Sequence, residues 1–245
     1  MNNSATLRRS ASRVEVTNVF LRSVYNWMAL GLALTAVISF ALTYTSLGGI
    51  LFATTASGEI VATTIGGYIG IASIIAELVL VFTLSLRINK LEAGTATGLF
   101  LAYSALNGIS LSFILLSYQV GSVAQAFIAT TGMFGAMSVY GLVTKRDLSG
   151  MGAFMFMGLI GLIIASVVNI FLGSSALEFG ISILGVGIFL GLTAYDTQLL
   201  KEMGESVPQD DAVAVHRGTI LGALRLYLDF INIFIMLLRL VGDRR

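Results

Sequence analysis

Apolar residues in this chain come in long, nearly uninterrupted stretches that are separated by short polar connections. Each stretch has about 20 residues, the length that an α-helix needs to cross roughly 30 Å of hydrocarbon. The longest connections, 48–64 and 201–218, leave no room for a soluble domain. The pattern therefore predicts one membrane domain over residues 1–245, with an amino-terminal segment at 1–24 and seven spans near residues 27–47, 65–86, 97–118, 123–143, 152–172, 176–199 and 219–241.

Composition places the chain in the same class. Hydrophobic residues make up 56% and charged residues 11%, and the mean hydropathy is +0.92. Soluble domains carry roughly 25% charged residues, so an all-α integral membrane protein is predicted. The absence of cysteine excludes disulfides, thiolate metal sites and cysteine nucleophiles, and the single histidine, His216, cannot form a zinc centre by itself. A net charge of +1 argues against a nucleic-acid partner, and no cofactor is expected.

Basic residues predict the orientation, because cytoplasmic loops are enriched in Lys and Arg. The connections after spans one, three and five contain no Lys or Arg, which predicts a cytoplasmic amino terminus. If the seventh segment crosses the membrane fully, three basic residues would lie on the outer side, against this enrichment: Arg239, Arg244 and Arg245. A re-entrant seventh segment is therefore the alternative. A full span is favoured because residues 219–241 make roughly 35 Å of helix. The basic residues that set the bias are Arg8, Arg9, Arg13, Arg22, Arg87, Lys90, Lys145, Arg146, Lys201, Arg217 and Arg225.

Two aspartates lie inside the last two apolar stretches, Asp196 in GLTAYDTQLLK and Asp229 in LRLYLDFINIFIMLLRLVG. An ionisable residue within a span is a functional-site hypothesis by default, because a carboxylate in hydrocarbon is costly. Asp196 precedes Lys201 by five residues and Asp229 follows Arg225 by four, which is roughly 6 to 8 Å of helix. If both cations mark the cytoplasmic interface, the two carboxyls share one depth.

Two further charged residues extend this hypothesis. Arg87, at the end of the second span, is expected near the level of the aspartates, and Glu77 is about 15 Å deeper. Two carboxyls in a low-dielectric site cannot both ionise cheaply, so the pair is predicted to hold a shared proton and to act as a proton-operated switch. Structural alternatives are a local pair of Asp229 with Arg225, and an Asp196 carboxyl that reaches water.

Four segments together resemble the bacterial branch of the Bax inhibitor-1 family of membrane proteins. They are LYLDFINIFIMLLRLVG in span seven, AYDTQ in span six, IIAELVLVFTLS in span two and YSALNGISLSF in span three. The resemblance implies seven helices with the last surrounded by the other six, an inner-membrane location, and a pH-sensitive calcium leak. It also implies that Asp196 and Asp229 form the sensor, and that Arg87 latches one of them.

The resulting hypothesis is a calcium leak that an ion pair between Arg87 and Asp196 holds closed at neutral or higher pH. Protonation of the pair releases the latch, and calcium, the permeant ion, passes Asp196, Asp229 and Glu77, where it could bind transiently. Lipid, calcium and protons are then the expected partners, and no enzymatic activity is expected.

Three other functions use the same residues. An intramembrane aspartyl protease is disfavoured because Asp229 lies in YLDF rather than in Gly-x-Gly-Asp. A proton-coupled transporter should show paired helix breaks, yet no proline interrupts a span. A regulator of a membrane protease or of a death-pathway partner is also possible, although no motif names such a partner. His216 could tune the pH response, but a solvated histidine in the acidic loop with Asp210 and Asp211 is the simpler interpretation.

Overall fold

The computed structural model describes residues 3–206 and 211–244, and these residues are predominantly helical. Seven of their helices are long and apolar enough to cross a membrane, which confirms the predicted fold class. The helices are α1 (Asn3–Tyr44), α2 (Thr64–Arg87), α3 (Ala93–Leu115), α4 (Val120–Val143), α5 (Ser149–Leu172), α6 (Ser175–Ser206) and α7 (Ala212–Val241).

The helices are longer than the apolar stretches that predicted them. Helix α1 begins at Asn3, well before the predicted span, and α6 continues to Ser206. The prediction of a connection at 201–218 was wrong over most of its length, because α7 already begins at Ala212. Polar residues continue a helix beyond the hydrocarbon, so the apolar length marks the span and not the helix end. Asp210 and Pro208 lie outside the described residues.

Helix α7 is continuous over 30 residues, which corresponds to roughly 45 Å of helix. This length favours the full span over the re-entrant alternative. It is also the most buried of the seven: 72% of its most apolar window is buried, against at most 44% in the other helices. The sequence resemblance implied a last helix surrounded by the other six; the high burial of α7 agrees with an enclosed helix, and the arrangement of the other six around it stays a prediction.

The connection between α1 and α2 contains structure that the sequence pattern did not predict. A 3-10 helix (Ser46–Ile50) leads into an antiparallel hairpin of β1 (Phe52–Thr54) and β2 (Ile60–Ala62), with Ala53 opposite Val61. Gly58 turns the hairpin with φ of 85°, a conformation that favours glycine. The Thr63 hydroxyl accepts a hydrogen bond from the Gly66 amide at 2.8 Å and so caps α2.

The chain divides into two compact units, and the predicted single domain over residues 1–245 stays a prediction. Of the described residues, the first unit comprises 3–23, 120–206 and 225–243, and the second comprises 24–119, 211–224 and 244. In the first unit α6 packs on α4 and α5, and the ring of Phe230 lies 5.5 Å from the ring of Phe127 and 5.5 Å from that of Phe134. Only 6% of the most apolar window of α5 is buried, as expected of a lipid-facing helix.

Helices α1 and α3 contact each other within the second unit through small and hydroxylated residues. The Thr35 hydroxyl donates to the Ser104 carbonyl at 2.7 Å, and Thr43 donates to the Ser112 carbonyl at 3.2 Å. Between these bonds Gly108 packs against Ile38 so closely that a Cβ would lie 2.8 Å from the Ile38 Cβ. Close backbone approach of this kind is what holds helices together in lipid.

Candidate functional site

Asp196 lies on α6 in the first unit, with its residue surface only 7% exposed. Its Oδ1 accepts a hydrogen bond from Arg225 Nη1 on α7 at 3.0 Å, so the two side chains form an ion pair. The side chain of Arg225 is 41% exposed, whereas that of Asp196 is 11% exposed. The carboxylate of Asp196 is therefore enclosed, whereas the guanidinium-bearing side chain of Arg225 is partly exposed.

Asp229 lies one helical turn after Arg225 on α7 and is 4% exposed. Its carboxyl is close enough to Asp196 for direct electrostatic interaction, and the Thr193 side chain is within hydrogen-bonding reach. Its Oδ2 atom is buried and has no hydrogen-bond partner among the described residues. The structure thus brings together the two aspartates that the sequence singled out, and we name Asp196, Asp229 and Arg225 the acidic cluster.

The charges of the acidic cluster follow from its composition. With both carboxyls ionised it carries one net negative charge, and with one added proton it is neutral. Uncompensated charge is expensive in a low-dielectric interior, whereas a neutral group of hydrogen-bonded side chains is tolerated. The arrangement can therefore bind and release a proton, and it presents carboxylate oxygen to a hard cation when the proton is absent.

The cation of this cluster is a residue to which the sequence interpretation gave a different role. Arg225 was expected to mark the cytoplasmic interface or to pair locally with Asp229, yet the observed ion pair is with Asp196. Its position inside an apolar helix was the available signal, because an arginine within a span is expected to pair with a carboxylate and two were nearby. Thr193, three residues before Asp196, was also missed, because a hydroxyl inside a span carries no pattern that distinguishes it.

Arg87 is the last residue of α2, as predicted, and its side chain is exposed. It belongs to the second unit, whereas the acidic cluster belongs to the first. The ion pair that the described residues give to Asp196 is with Arg225. An ion pair between Arg87 and Asp196 stays a prediction.

Glu77 on α2 forms its own polar cluster within the second unit. Its Oε1 accepts from the Ser110 hydroxyl at 2.6 Å, and its Oε2 accepts from Asn107 Nδ2 at 3.0 Å. Asn107 thus bonds between helices, as the polar residues of spans commonly do. Its Oδ1 is buried without a hydrogen-bond partner in the part of the chain that the structure describes. Two neutral donors on one carboxyl stabilise a negative charge there.

His216 is not the solvated loop histidine that the sequence favoured. It lies in α7, is half-buried, and its Nε2 is 2.8 Å from the Thr97 hydroxyl of α3. Its ring also meets Trp27 of α1 edge to face, with centroids 6.1 Å apart. The next residue, Arg217, donates from Nε to the Leu91 carbonyl at 2.6 Å. These contacts fix the first turns of α7 within the second unit.

No group of three or more His, Asp or Glu side chains in residues 3–206 and 211–244 is arranged to hold a metal ion. The acidic cluster offers two carboxyls and the Glu77 cluster offers one. For comparison, Ca²⁺ takes six to eight oxygen ligands when held in a protein site.

Membrane-length helices that hold two carboxyls and a guanidinium inside their spanning segments define a multi-pass integral membrane protein with a buried ionisable cluster. The sequence matches the family described as "Inhibitor of apoptosis-promoting Bax1" over residues 17–245. The chain belongs to this Bax inhibitor-1 family, as the resemblance in four segments indicated.

Bacterial relatives match along nearly their whole length. The Escherichia coli K12 protein described as "Inner membrane protein YbhL" is 49% identical over 226 residues, covering 92% of each chain. A Borreliella burgdorferi protein of undescribed function is 42% identical over 240 residues, covering 98% of each chain. A Streptococcus pyogenes membrane protein is 39% identical over 229 residues, covering 92% of this chain and 93% of its own.

Proposed function

We propose that the protein is a calcium leak channel that opens when the acidic cluster takes up a proton. The observation that carries the proposal is the buried pair of Asp196 and Asp229, which is accompanied by a single arginine. The cluster of these three residues can therefore exist in two charge states, with and without one added proton. A structural ion pair needs one carboxylate for one guanidinium, and Asp196 already supplies it. The carboxyl of Asp229, whose buried oxygen has no hydrogen-bond partner among the described residues, therefore has no structural purpose.

The mechanism follows from the charge count. At neutral or higher pH the ion pair between Asp196 and an arginine joins α6 to the helix that carries the arginine. This contact keeps the ion path of the proposed channel closed. As pH falls, a proton on the cluster neutralises one carboxyl and weakens the hold on the guanidinium. Conduction therefore increases as pH decreases, and it is lost as pH rises.

Calcium is the proposed permeant ion because the path offers hard oxygen ligands in small number. Asp196, Asp229 and Glu77 supply carboxylates, and backbone carbonyls complete the ligand set in passing. In this role the hydrogen bonds from Asn107 and Ser110 hold the Glu77 carboxyl in place, and the ionised carboxyl attracts cations into the membrane interior. No cofactor and no catalytic step is part of the proposal.

Two arginines are candidates for the latch. Arg225 forms the observed ion pair with Asp196. Arg87 is the residue that the family resemblance implies, and it remains a proposed latch for a conformation in which it replaces Arg225. We further propose that the protein lies in the bacterial inner membrane with its amino terminus in the cytoplasm, in line with the E. coli relative and with the basic loops.

The test is calcium flux into proteoliposomes that contain purified protein, measured over a series of pH values equal on both sides. We expect the wild-type flux to rise as pH falls, and the variant Asp196→Asn with Asp229→Asn to give a flux that does not depend on pH. Equal pH on both sides also separates a leak from a proton-coupled transporter, since a transporter needs the proton gradient to accumulate calcium. A double variant that keeps the wild-type profile removes the basis of the proposal.

Asp147→Asn is the matched control. Asp147 lies between α4 and α5 and is fully exposed, and hydrogen bonds from the Ser149 side chain and backbone lower the pKa of its carboxyl. The residue therefore stays ionised until the pH falls to its depressed pKa, and any stability from these bonds is lost progressively as the pH falls from the ordinary aspartate pKa through the depressed one. Asparagine keeps an Oδ1 acceptor for the Ser149 backbone amide, so the turn is retained and the pH profile of calcium flux should be unchanged.

A further inference from the structure

Gln198 lies two residues after Asp196 on α6, and both ends of its amide are engaged. Its Oε1 accepts from the Leu148 backbone amide at 2.8 Å, and its Nε2 donates to the Arg146 carbonyl at 2.9 Å. Both partners belong to the turn between α4 and α5. One side chain thus holds the turn by two bonds, which also fix the orientation of the amide.

Lys201, one turn further along α6, adds a third bond to the same region. Its Nζ donates to the Leu142 carbonyl at 2.9 Å, near the end of α4. A cation on the last carbonyls of a helix also interacts favourably with the helix dipole. We name Gln198 and Lys201 together the turn clamp.

The residues directly before Asp196 are held by close packing. Gly141 of α4 leaves no room for a Cβ against the Ala194 carbonyl. Gly152 of α5 faces the Tyr195 ring, where a Cβ would lie 2.5 Å from Cγ. Contacts on both sides of Asp196 therefore tie α6 to α4 and to α5.

The turn clamp and the acidic cluster use different faces of α6. Residues two apart on an α-helix point about 200° from each other. Asp196 pairs with Arg225 of α7, whereas Gln198 bonds the turn between α4 and α5 on the far side. The clamp thus restrains rotation of α6 from behind the carboxyl.

We propose that Gln198 is a positioning residue that holds the Asp196 carboxyl in place, so that gating moves the arginine and not the aspartate. The proposal rests on the proposed function of the acidic cluster. Without the two Gln198 bonds the hold of the turn on α6 loosens, the Asp196 carboxylate can separate from Arg225 while it is still ionised, and the closed state is weakened. The loss of two hydrogen bonds should raise the ratio of conducting to closed protein at neutral pH about tenfold.

The test combines calcium flux with a distance measurement that does not depend on flux. The chain has no cysteine, so Lys145→Cys in the turn and Glu202→Cys on α6, both exposed, can carry spin labels without background. We expect a narrow distance distribution in the labelled wild type at every pH, and a broad one with Gln198→Ala. The same variant should leak at neutral pH with a flattened pH profile. If Gln198→Ala does not fold, Gln198→Glu replaces it in the experiment. This variant keeps the acceptor for the Leu148 amide, so we expect it to show an intermediate effect.

Gln125→Ala, an exposed glutamine on α4, is the matched control and should change neither readout. An unchanged distance distribution in Gln198→Ala overturns the clamp, whatever the flux. A broadened distribution with a wild-type pH profile overturns the positioning role and leaves the proposed gating intact. If the wild-type flux does not depend on pH, both the proposed function and the positioning role of Gln198 are contradicted. The distance measurement still tests whether Gln198 holds the turn between α4 and α5.

Discussion

Arg225 combines two properties that rarely occur in one residue of a membrane helix. Its guanidinium is bonded to an enclosed carboxylate, and its side chain is 41% exposed. Hydrogen bonds to charged groups contribute about 1.5 to 3 kcal/mol, and exposure reduces that value through screening. An interaction of this size can hold a closed state and still be released by a single proton.

We therefore expect Arg225→Gln to raise calcium flux at neutral pH by roughly tenfold, which corresponds to the loss of about 1.4 kcal/mol from the closed state. Arg87→Gln provides the comparison, measured in the same proteoliposome assay. A larger effect from Arg87 than from Arg225 would assign the latch to Arg87. No effect from either variant would contradict an arginine latch altogether.

Helix α6 is the element on which the acidic cluster depends, and glycines on its neighbours set how closely it packs. Gly141 of α4 contacts the Ala194 carbonyl, which cannot move aside as a flexible side chain can. On α6 itself, Gly191 is in a tight contact with Met155, whereas no described atom lies within 4 Å of the Cβ position of Gly187, four residues earlier. Spacing alone does not show which helix face meets a neighbour.

Gly141→Ala should destabilise the protein by about 1 to 3 kcal/mol, because a methyl group is forced into a filled interface. Gly132→Ala on the same helix is the control, since none of the residues that the structure describes comes within 4 Å of its Cβ position. That change should be neutral or stabilising, because alanine favours helix. Thermal unfolding of the two variants in detergent measures the difference, and equal transition temperatures would refute the close contact.

Much of the fold could be predicted from the apolar pattern, because each span must satisfy its own backbone in lipid. Helix ends could not be predicted, as the extension of α6 to Ser206 shows, because polar residues continue a helix in water. Asp196 and Asp229 stood out because carboxylates are rare in spans. The turn clamp did not, since Gln198 and Lys201 at a helix end look like ordinary solvated residues.

At the scale of the whole molecule, the charges fall into two groups with different tasks. Basic residues lie mainly outside the predicted spans and predict the orientation in the membrane. Among the charges inside the spans, Asp196 pairs with Arg225 and Glu77 receives two hydrogen bonds, whereas Asp229 keeps one buried oxygen without a hydrogen-bond partner among the described residues. A protein that needed only to reside in lipid would not require these buried carboxyls.

Infrared difference spectroscopy in proteoliposomes, recorded with calcium flux over the same pH series, tests the central claim most directly. The carboxyl C=O stretch reports proton uptake by aspartate. We predict a band that grows as pH falls, that has the same midpoint as the rise in flux, and that is absent when Asp196 and Asp229 are both changed to asparagine. Flux that rises with no carboxyl band, or a band whose midpoint is separated from that of the flux, would contradict gating by protonation of the acidic cluster.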